Sequence, residues 1–554
     1  MMKSSGFGLG LLVLAGTGLG AQSLPEALQT LPAETAYVDI YRNLAVTEQR
    51  WEQAQGRLQV PRSSLEPFLA TIPAGLVDGP VLVGHFAGKG AEAGVFVVHA
   101  EPFNRLVKGL GAVKAGPYWK VGRKGGGYFV AHQGAYALLC TDSTRLKAWL
   151  DAPLKLGAEL APLAPWIAGH DLVKLAPAMA TQAGISGLEA AAKGKSRPGL
   201  PVQEYLQPLL AKAEQSVTQV ALAMDFAEDG SAVVRARAFF RPGTVPATAL
   251  AASAGSVHPL DGLLPSALVF GGGGPIPRNL AEWSVTFMGK LLASGPAGAD
   301  PELLAKAAAS RAELARQLRS EAFGLALPLQ KGDPLCSGLT VLFRVEDGDR
   351  YLQLLEANTG TQSALLKAQG GQFRCERGEV LGAPSLMMHY NLGGGSGKPG
   401  EAAGRMALAV LFGSTDQINW SVGRVDEHTL LGTLGGAKQL QTALEAYRPG
   451  FGQDPGVAAS DALLPAPAPW RFYFNLQSAR DLMQLARDQF DPDSAKPLPL
   501  VPAAPPLGVA FSLDVDGAEL RAAAPRDTLQ ALGAFIQAVA GMVPGKPAAH
   551  PKSK

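Results

Sequence analysis

Val220-Ala-Leu-Ala-Met-Asp225 alternates large and small side chains, breaks at Asp229-Gly230, and resumes as Val233 to Phe240. An Asp-Gly pair between two alternating runs marks a tight hairpin, because glycine takes positive φ without steric cost and aspartate accepts hydrogen bonds from its own turn. The pattern returns late in the chain. Val509-Ala-Phe-Ser-Leu-Asp514 turns at Asp516-Gly517 into Leu520 to Ala523. Two hairpins of one design, far apart in sequence, point to an antiparallel sheet whose elements occur in two passes.

Further landmarks keep that order. Leu31-Pro32-Ala33-Glu34-Thr35 runs into Ala36 to Tyr41 and then Arg42-Asn43-Leu44-Ala45; Leu264-Pro265-Ser266 runs into Ala267 to Phe270 and then Arg278-Asn279-Leu280-Ala281. In both, a strand hands over to a helix whose first N–H groups an asparagine oxygen is placed to accept. Tyr128-Phe-Val-Ala-His132 with Tyr136-Ala-Leu-Leu-Cys-Thr141 parallels Trp420-Ser-Val-Gly423 with His428-Thr-Leu-Leu-Gly-Thr433, each leading into a helix, at Arg145 to Leu150 and Ala437 to Tyr447. From Thr141 to Asp229 is 88 residues, and from Thr433 to Asp516 is 83. The second pass is longer before its Leu-Leu hairpin, which places insertions at Pro301 to Leu318 and in the Gly-rich loop after Leu392. The expected fold class is α+β, with two related halves, each an antiparallel hairpin-rich sheet with helices packed on one face. Amphipathic helices are expected at Asn43 to Arg57, Ser64 to Leu76, Leu206 to Gln215, Ala281 to Leu292 and Gln477 to Phe490. Arg241 to Gly262 has no apolar period and holds the boundary. The division is a leader over 1–21, a first half over 22–255, a second half over 256–544 and a tail over 545–554.

The opening Leu31-Pro32-Ala33-Glu34-Thr35-Ala36-Tyr37-Val38, with the repeated hairpin-helix layout, resembles an uncharacterised family of exported bacterial proteins whose domains begin with an LPADT-like strand. The resemblance implies an exported, internally duplicated α+β protein of unknown activity and brings no catalytic residues with it.

Composition narrows the class. Of 554 residues, 47% are hydrophobic and 17% charged, against about 25% charged in ordinary soluble domains, so the chain is globular. Its 66 glycines and 42 prolines make turns frequent and exclude a coiled coil. A net charge of +2 supplies no field for nucleic acid or an anionic membrane surface. Met1 to Ala21 has Lys3, an apolar run from Phe7 to Leu19 and small residues at Gly18, Gly20 and Ala21. That is the layout of a secretory signal, so the mature chain is expected to begin near Ala21 or Gln22, in the periplasm or outside the cell. Leu529 to Val543, broken by Gln530, Gly533, Gln537 and Gly541, is too short for a span. It reads as a buried terminal helix, and no transmembrane span is expected in the mature chain.

Few residues suggest chemistry. In an oxidising compartment Cys336 and Cys375 would be able to pair, leaving Cys140 as a buried thiol; otherwise all three are small hydrophobes. Gly271 to Gly274 follow a strand, where consecutive N–H groups would form a nest for an anion. Gly393-Gly-Gly-Ser-Gly-Lys398 fails as a phosphate loop, because Leu392 stands where a glycine is needed and Pro399 follows the lysine. The eight histidines include no HExxH pair, and neither GxSxG nor SxxK occurs, so no metal or cofactor is expected. Glu346-Asp-Gly-Asp349 departs from a calcium loop at Tyr351, and Asp349 is expected to cap a helix from Arg350 to Ala357. Trp470-Arg-Phe-Tyr-Phe474 has rings on both faces of a strand, which means burial on both faces or an exposed apolar patch awaiting a partner. The first reading is therefore a non-enzymatic envelope or periplasmic protein that binds an envelope protein or an apolar small molecule. The alternative is an exported hydrolase with a site assembled from distant segments.

Overall fold

A computed structural model describes residues 24–65, 78–86, 94–122, 127–186, 211–244, 258–263, 268–276, 301–328, 332–367, 371–391, 401–447, 451–465, 468–490 and 497–540, apart from 155, 179, 212 and 259. The leader, the tail, the loop 393–398, the helix 281–292 and most of the helices 64–76 and 206–215 lie outside these residues, as does 245–257 of the boundary. The fold is mixed α+β and rests on long antiparallel pairings. Two compact units hold it, one of residues 1–44 and 68–169, the other of 45–67 and 170–554.

In the first unit the strands are β1 (Thr35–Tyr41), β2 (Asp78–Phe86), β3 (Val95–His99), β4 (Val113–Ala115), β5 (Tyr118–Val121), β6 (Tyr128–Gln133) and β7 (Tyr136–Cys140). They pair in the order β1-β2-β3-β7-β6-β5-β4. β3 and β7 sit centrally and read as nearly unbroken apolar runs, Val-Phe-Val-Val-His and Tyr-Ala-Leu-Leu-Cys, all buried but His99. Such a strand is covered on both faces. The helix Ser143–Asp151 supplies part of that cover. Asp142 caps it by accepting from the Thr144 N–H, and Leu146 and Trp149 are its buried residues. Trp149 lies on Gly84 so closely that a Cβ there would stand 2.1 Å from the indole. Cys140 is buried in this strand, as its sequence suggested, and burial raises its thiol pKa.

In the second unit the strands are β8 (Leu172–Ala176), β9 (Val217–Phe226), β10 (Ala232–Phe240), β11 (Leu268–Pro275), β12 (Leu318–Ala326), β13 (Leu339–Val345), β14 (Gln372–Val380), β15 (Ala383–Asn391), β16 (Gln417–Asp426), β17 (Thr429–Leu434), β18 (Trp470–Phe474), β19 (Leu507–Leu513) and β20 (Gly517–Ala524). Their order is β8-β9-β10-β20-β19-β18-β11-β12-β13-β17-β16-β15-β14, all antiparallel. The stretch from β11 to β14 repeats, strand for strand, the order found from β1 to β4. The two Asp-Gly hairpins are β9-β10 and β19-β20, and they meet edge to edge along β10 and β20, with Ala236 opposite Leu520.

Two helices differ from expectation. Of the stretch Leu529 to Val543, Leu529 to Ala540 belongs to the helix Arg526–Ala540, which is half buried, with Ala531 and Ala538 inside and Ile536 and Val539 exposed; 541–543 lie outside the described residues. The acidic turn caps a longer helix, Gly348–Lys367, one residue pair earlier: Asp347, not Asp349, accepts from the Arg350 N–H at 3.0 Å. A carboxylate at the cap reaches the N–H three residues on, whereas Asp349 already lies inside the first turn.

Candidate binding face

The alternation of β9 decides what each side of the second unit's sheet carries. Val220, Leu222 and Met224 point to one face, and Gln219, Ala221, Ala223 and Asp225 to the other. The small residues are the buried ones; Val220 and Leu222 are each 41% exposed. Register carries this inversion across the neighbouring strands. Leu222 lies opposite Ala236, Ala236 opposite Leu520, Leu520 opposite Phe511 and Phe511 opposite Trp470. A parallel row runs Met224, Val234, Ala522, Val509, Phe472, Gly272 and Phe323. A third runs Val220, Ala238, Ala518 and Leu513. None of these positions is charged. Leu520 is 47% exposed and Phe472 36%, so Phe472 is the open ring on this side of the Trp470–Phe474 segment, while Phe474 on the same side packs on Phe535. On its other side Tyr473 is buried.

Gly271–Gly274 are part of this construction. They run within β11, paired to β12 throughout and to β18 from Gly271 to Gly273, so their N–H groups lie in sheet ladders. Rings pack where side chains would be. A Cβ on Gly272 would stand 1.8 Å from the Phe472 ring, and one on Gly274 2.2 Å from Trp470. Trp470 is fixed by donating its indole N–H to the Pro275 carbonyl at 2.8 Å, and it packs on Phe511 with ring centroids 5.3 Å apart. Glycine thus gives two aromatics a flat seat.

The reverse face carries the charges. Arg235 meets Asp225 at 3.0 Å and Glu519 at 3.8 Å; Arg237 meets Glu519 at 3.2 Å and Asp514 at 3.4 Å; Arg521 meets Glu519 at 2.8 Å. His170 lies 3.0 Å from Asp225, whose carboxylate also accepts from the Asp171 N–H, and Asp171 accepts from Arg50. Burial pushes the Asp225 and Glu519 carboxyls up, but His170 and Arg235 at the first, and Arg521 and Arg237 at the second, hold both below the usual carboxylate range. The network is closely matched in sign and locks the two hairpins together from behind.

A second polar cluster sits on the same side of β18. Tyr473 donates its hydroxyl proton to Asp461, which Arg471 meets at 2.7 Å. His258 Nε2 lies 2.9 Å from the Tyr473 oxygen, and its Nδ1 accepts from the Leu260 N–H at 3.3 Å. Since the tyrosine proton goes to Asp461, His258 is the donor at Nε2. Both ring nitrogens are therefore engaged in a neutral imidazole, and burial lowers its pKa from 6.5 to about 4. Sequence reading marked Arg471 and Tyr473 only as parts of an aromatic strand and did not join them to His258 and Asp461, because these residues come together only through sheet pairing.

The remaining candidates are dispersed. Cys336 and Cys375 are both free thiols, Cys375 within β14 and Cys336 in the turn before β13. Among the described residues no group of three His, Cys, Asp or Glu side chains is arranged to hold a metal ion, and no helix is long and apolar enough to cross a membrane. No protein-family model, no curated protein and no solved structure matches this chain.

Proposed function

We propose that this is an exported, non-enzymatic protein of two related α+β halves that binds an apolar partner in the periplasm or cell envelope through the open face of β9, β10, β20, β19 and β18. The observation that carries the reading is the row Leu222, Ala236, Leu520, Phe511 and Trp470, uncharged and incompletely buried across five adjacent strands. Contiguous exposed apolar surface costs solubility and is kept where something docks on it. The shared strand order of β1 to β7 and β11 to β17 supports descent of the two halves from one ancestor, and the signal-like leader supports export. A hydrolytic reading draws no support from His258, whose ring nitrogens are both occupied.

The test uses the dye 8-anilinonaphthalene-1-sulfonate with the folded mature chain. Saturable fluorescence that falls at least fivefold in the double variant Leu222→Glu and Leu520→Glu is the expected result. Fluorescence unchanged by those substitutions overturns the reading.

A further inference from the structure

We infer that the occupant of this face is an amphipathic α-helix of a partner protein, presenting a small residue above Leu520; the inference rests on the binding reading above. Three observations select a helix. First, the relief fits one. β10 and β20 carry Val234, Ala236, Ala238, Ala518, Leu520 and Ala522, mostly small, between the larger Val220 and Leu222 of β9, whose Met224 marks the helix-covered end, and Leu513, Phe511 and Val509 of β19. The outer two strands are three strand spacings apart, about 14 Å, enough for a helix of about 10–12 Å with its side chains. Leu520 rises in the middle and demands alanine or glycine opposite it.

Second, the same face is already helix-covered on either side. Ala54 and Trp51 of the helix Leu44–Leu58 and Leu529 of Arg526–Ala540 pack with Phe226, Met224 and Ala524 at one end. Leu314 of the helix Pro301–Gln317 and Tyr351 and Leu352 of Gly348–Lys367 pack with Leu386, Met388, Val422 and Leu430 toward β14. The open part continues a surface whose neighbouring stretches are roofed by amphipathic helices.

Third, size argues against a second copy and against a small molecule. Three rows about 7 Å apart over four strands, two of them reaching a fifth, give a footprint of about 400 Å², half of the roughly 800 Å² per partner of a standard interface, so the face is too small to hold a second copy by itself. A small apolar molecule needs a cleft that encloses most of its surface, and an open sheet face encloses one side only. A helix laid in a shallow apolar groove needs no more than this.

The experiment titrates the mature chain with a labelled 18-residue amphipathic peptide of Leu, Ala, Glu and Lys bearing an alanine stripe, alongside its composition-matched scramble and phosphatidylcholine vesicles. Expected is saturable anisotropy with a gain of helicity, at least tenfold tighter than the scramble. It should weaken at least tenfold in Leu222→Glu and in Leu520→Glu, and stay unchanged in Val113→Glu, which alters an exposed valine of the first unit. Equal binding of peptide and scramble overturns the inference, as does preference for vesicles, or a dimer in sedimentation that Leu520→Glu dissolves. Loss of dye binding to the same face with no preference for the amphipathic peptide removes the helix alone; a dye signal indifferent to the face removes the binding reading beneath it. Unfolding midpoints of the two leucine variants within a few degrees of the parent keep a folding defect from passing as lost binding.

Discussion

β3 and β7 of the first unit and β9, β10, β20 and β19 of the second are both central antiparallel strands, yet they bury opposite things. In β7 every side chain is inside, large and apolar ones included. In β9 Ala221 and Ala223 are inside with Asp225 half-buried beside them, and Val220 and Leu222 face out. The difference lies in what covers each sheet. Trp149 and Leu146 give β7 and its neighbours a thick apolar layer, which rewards large residues. Behind β10, β19 and β20 the layer is Leu464 and Ala468 on Val233, Ala510 and Ala523, and beside it arginines and carboxylates must find partners. Small side chains leave room for that charged lattice, and the large ones are left on the other face. A period of two says that a strand has two unlike faces; it does not say which is inside.

The sharpest way to break this comparison is to empty the thick layer. Trp149→Ala removes the largest fully buried side chain among the described residues and should cost about 4 kcal/mol, read by urea unfolding. A loss below about 1 kcal/mol would mean that the first unit has no such layer. Next comes the charged lattice. Glu519→Ala leaves Arg237 and Arg521 facing each other with their common carboxylate gone, and a loss of about 3 kcal/mol is expected. Its neighbour Leu520, one residue on and on the opposite face, serves as the internal control.

The His258 cluster sharpens the contrast through pH. The unfolded chain takes a proton on this histidine below about 6.5, while the folded one refuses it until about 4. Its contribution is therefore whole above 6.5 and is lost as the pH falls toward 4, in total about 3 kcal/mol. Asp225 and Glu519 are held low, so their contribution is present above the ordinary carboxylate range and is lost only at more acid pH. Between pH 7 and about 5, above the range in which Asp225 and Glu519 begin to lose their contribution, the histidine is the largest of these losses, and His258→Gln should flatten that window. An unchanged slope in the variant would place the proton uptake elsewhere.

Much of the fold was legible because hairpins declare themselves locally. Asp229-Gly230 turns as read, with Gly230 at φ 86°, whereas the second hairpin turns over Asp514 to Asp516, Asp514 accepting from the Asp516 N–H, and Gly517 already opens β20; the hairpins at Tyr128 to Thr141, Val217 to Phe240 and Leu507 to Ala524 stand where the alternation put them. The site was not legible for the opposite reason. Gly271–Gly274 suggest an anion nest when read alone, and only the arrival of Phe472 and Trp470 from a strand some 200 residues later shows why no side chain fits there. The join of β10 to β20, which turns two separate alternations into one apolar row, is likewise a pairing that neither hairpin encodes by itself. Arg235, Arg237, Glu519 and Arg521 left a trace, since charges in the middle of a strand otherwise apolar need partners, but the trace names no partner.

The smallest expected effect decides whether the open face is open. Leu222→Ser and Leu520→Ser remove apolar side chains that are more than two-fifths exposed. Little transfer free energy is at stake at such positions, no cavity forms because one side is already solvent, and the hydroxyl can reach water. Each should therefore change stability by no more than about 0.5 kcal/mol, near the limit of chemical denaturation. The same replacement at the buried Leu138, in β7, takes a hydrophobe from a closed layer and puts a hydroxyl there, and belongs with Trp149→Ala in magnitude. Should Leu520→Ser cost as much as Leu138→Ser, the two sheets would not differ in kind: the face would be covered in the folded chain, and the apolar rows would be core, not a docking surface.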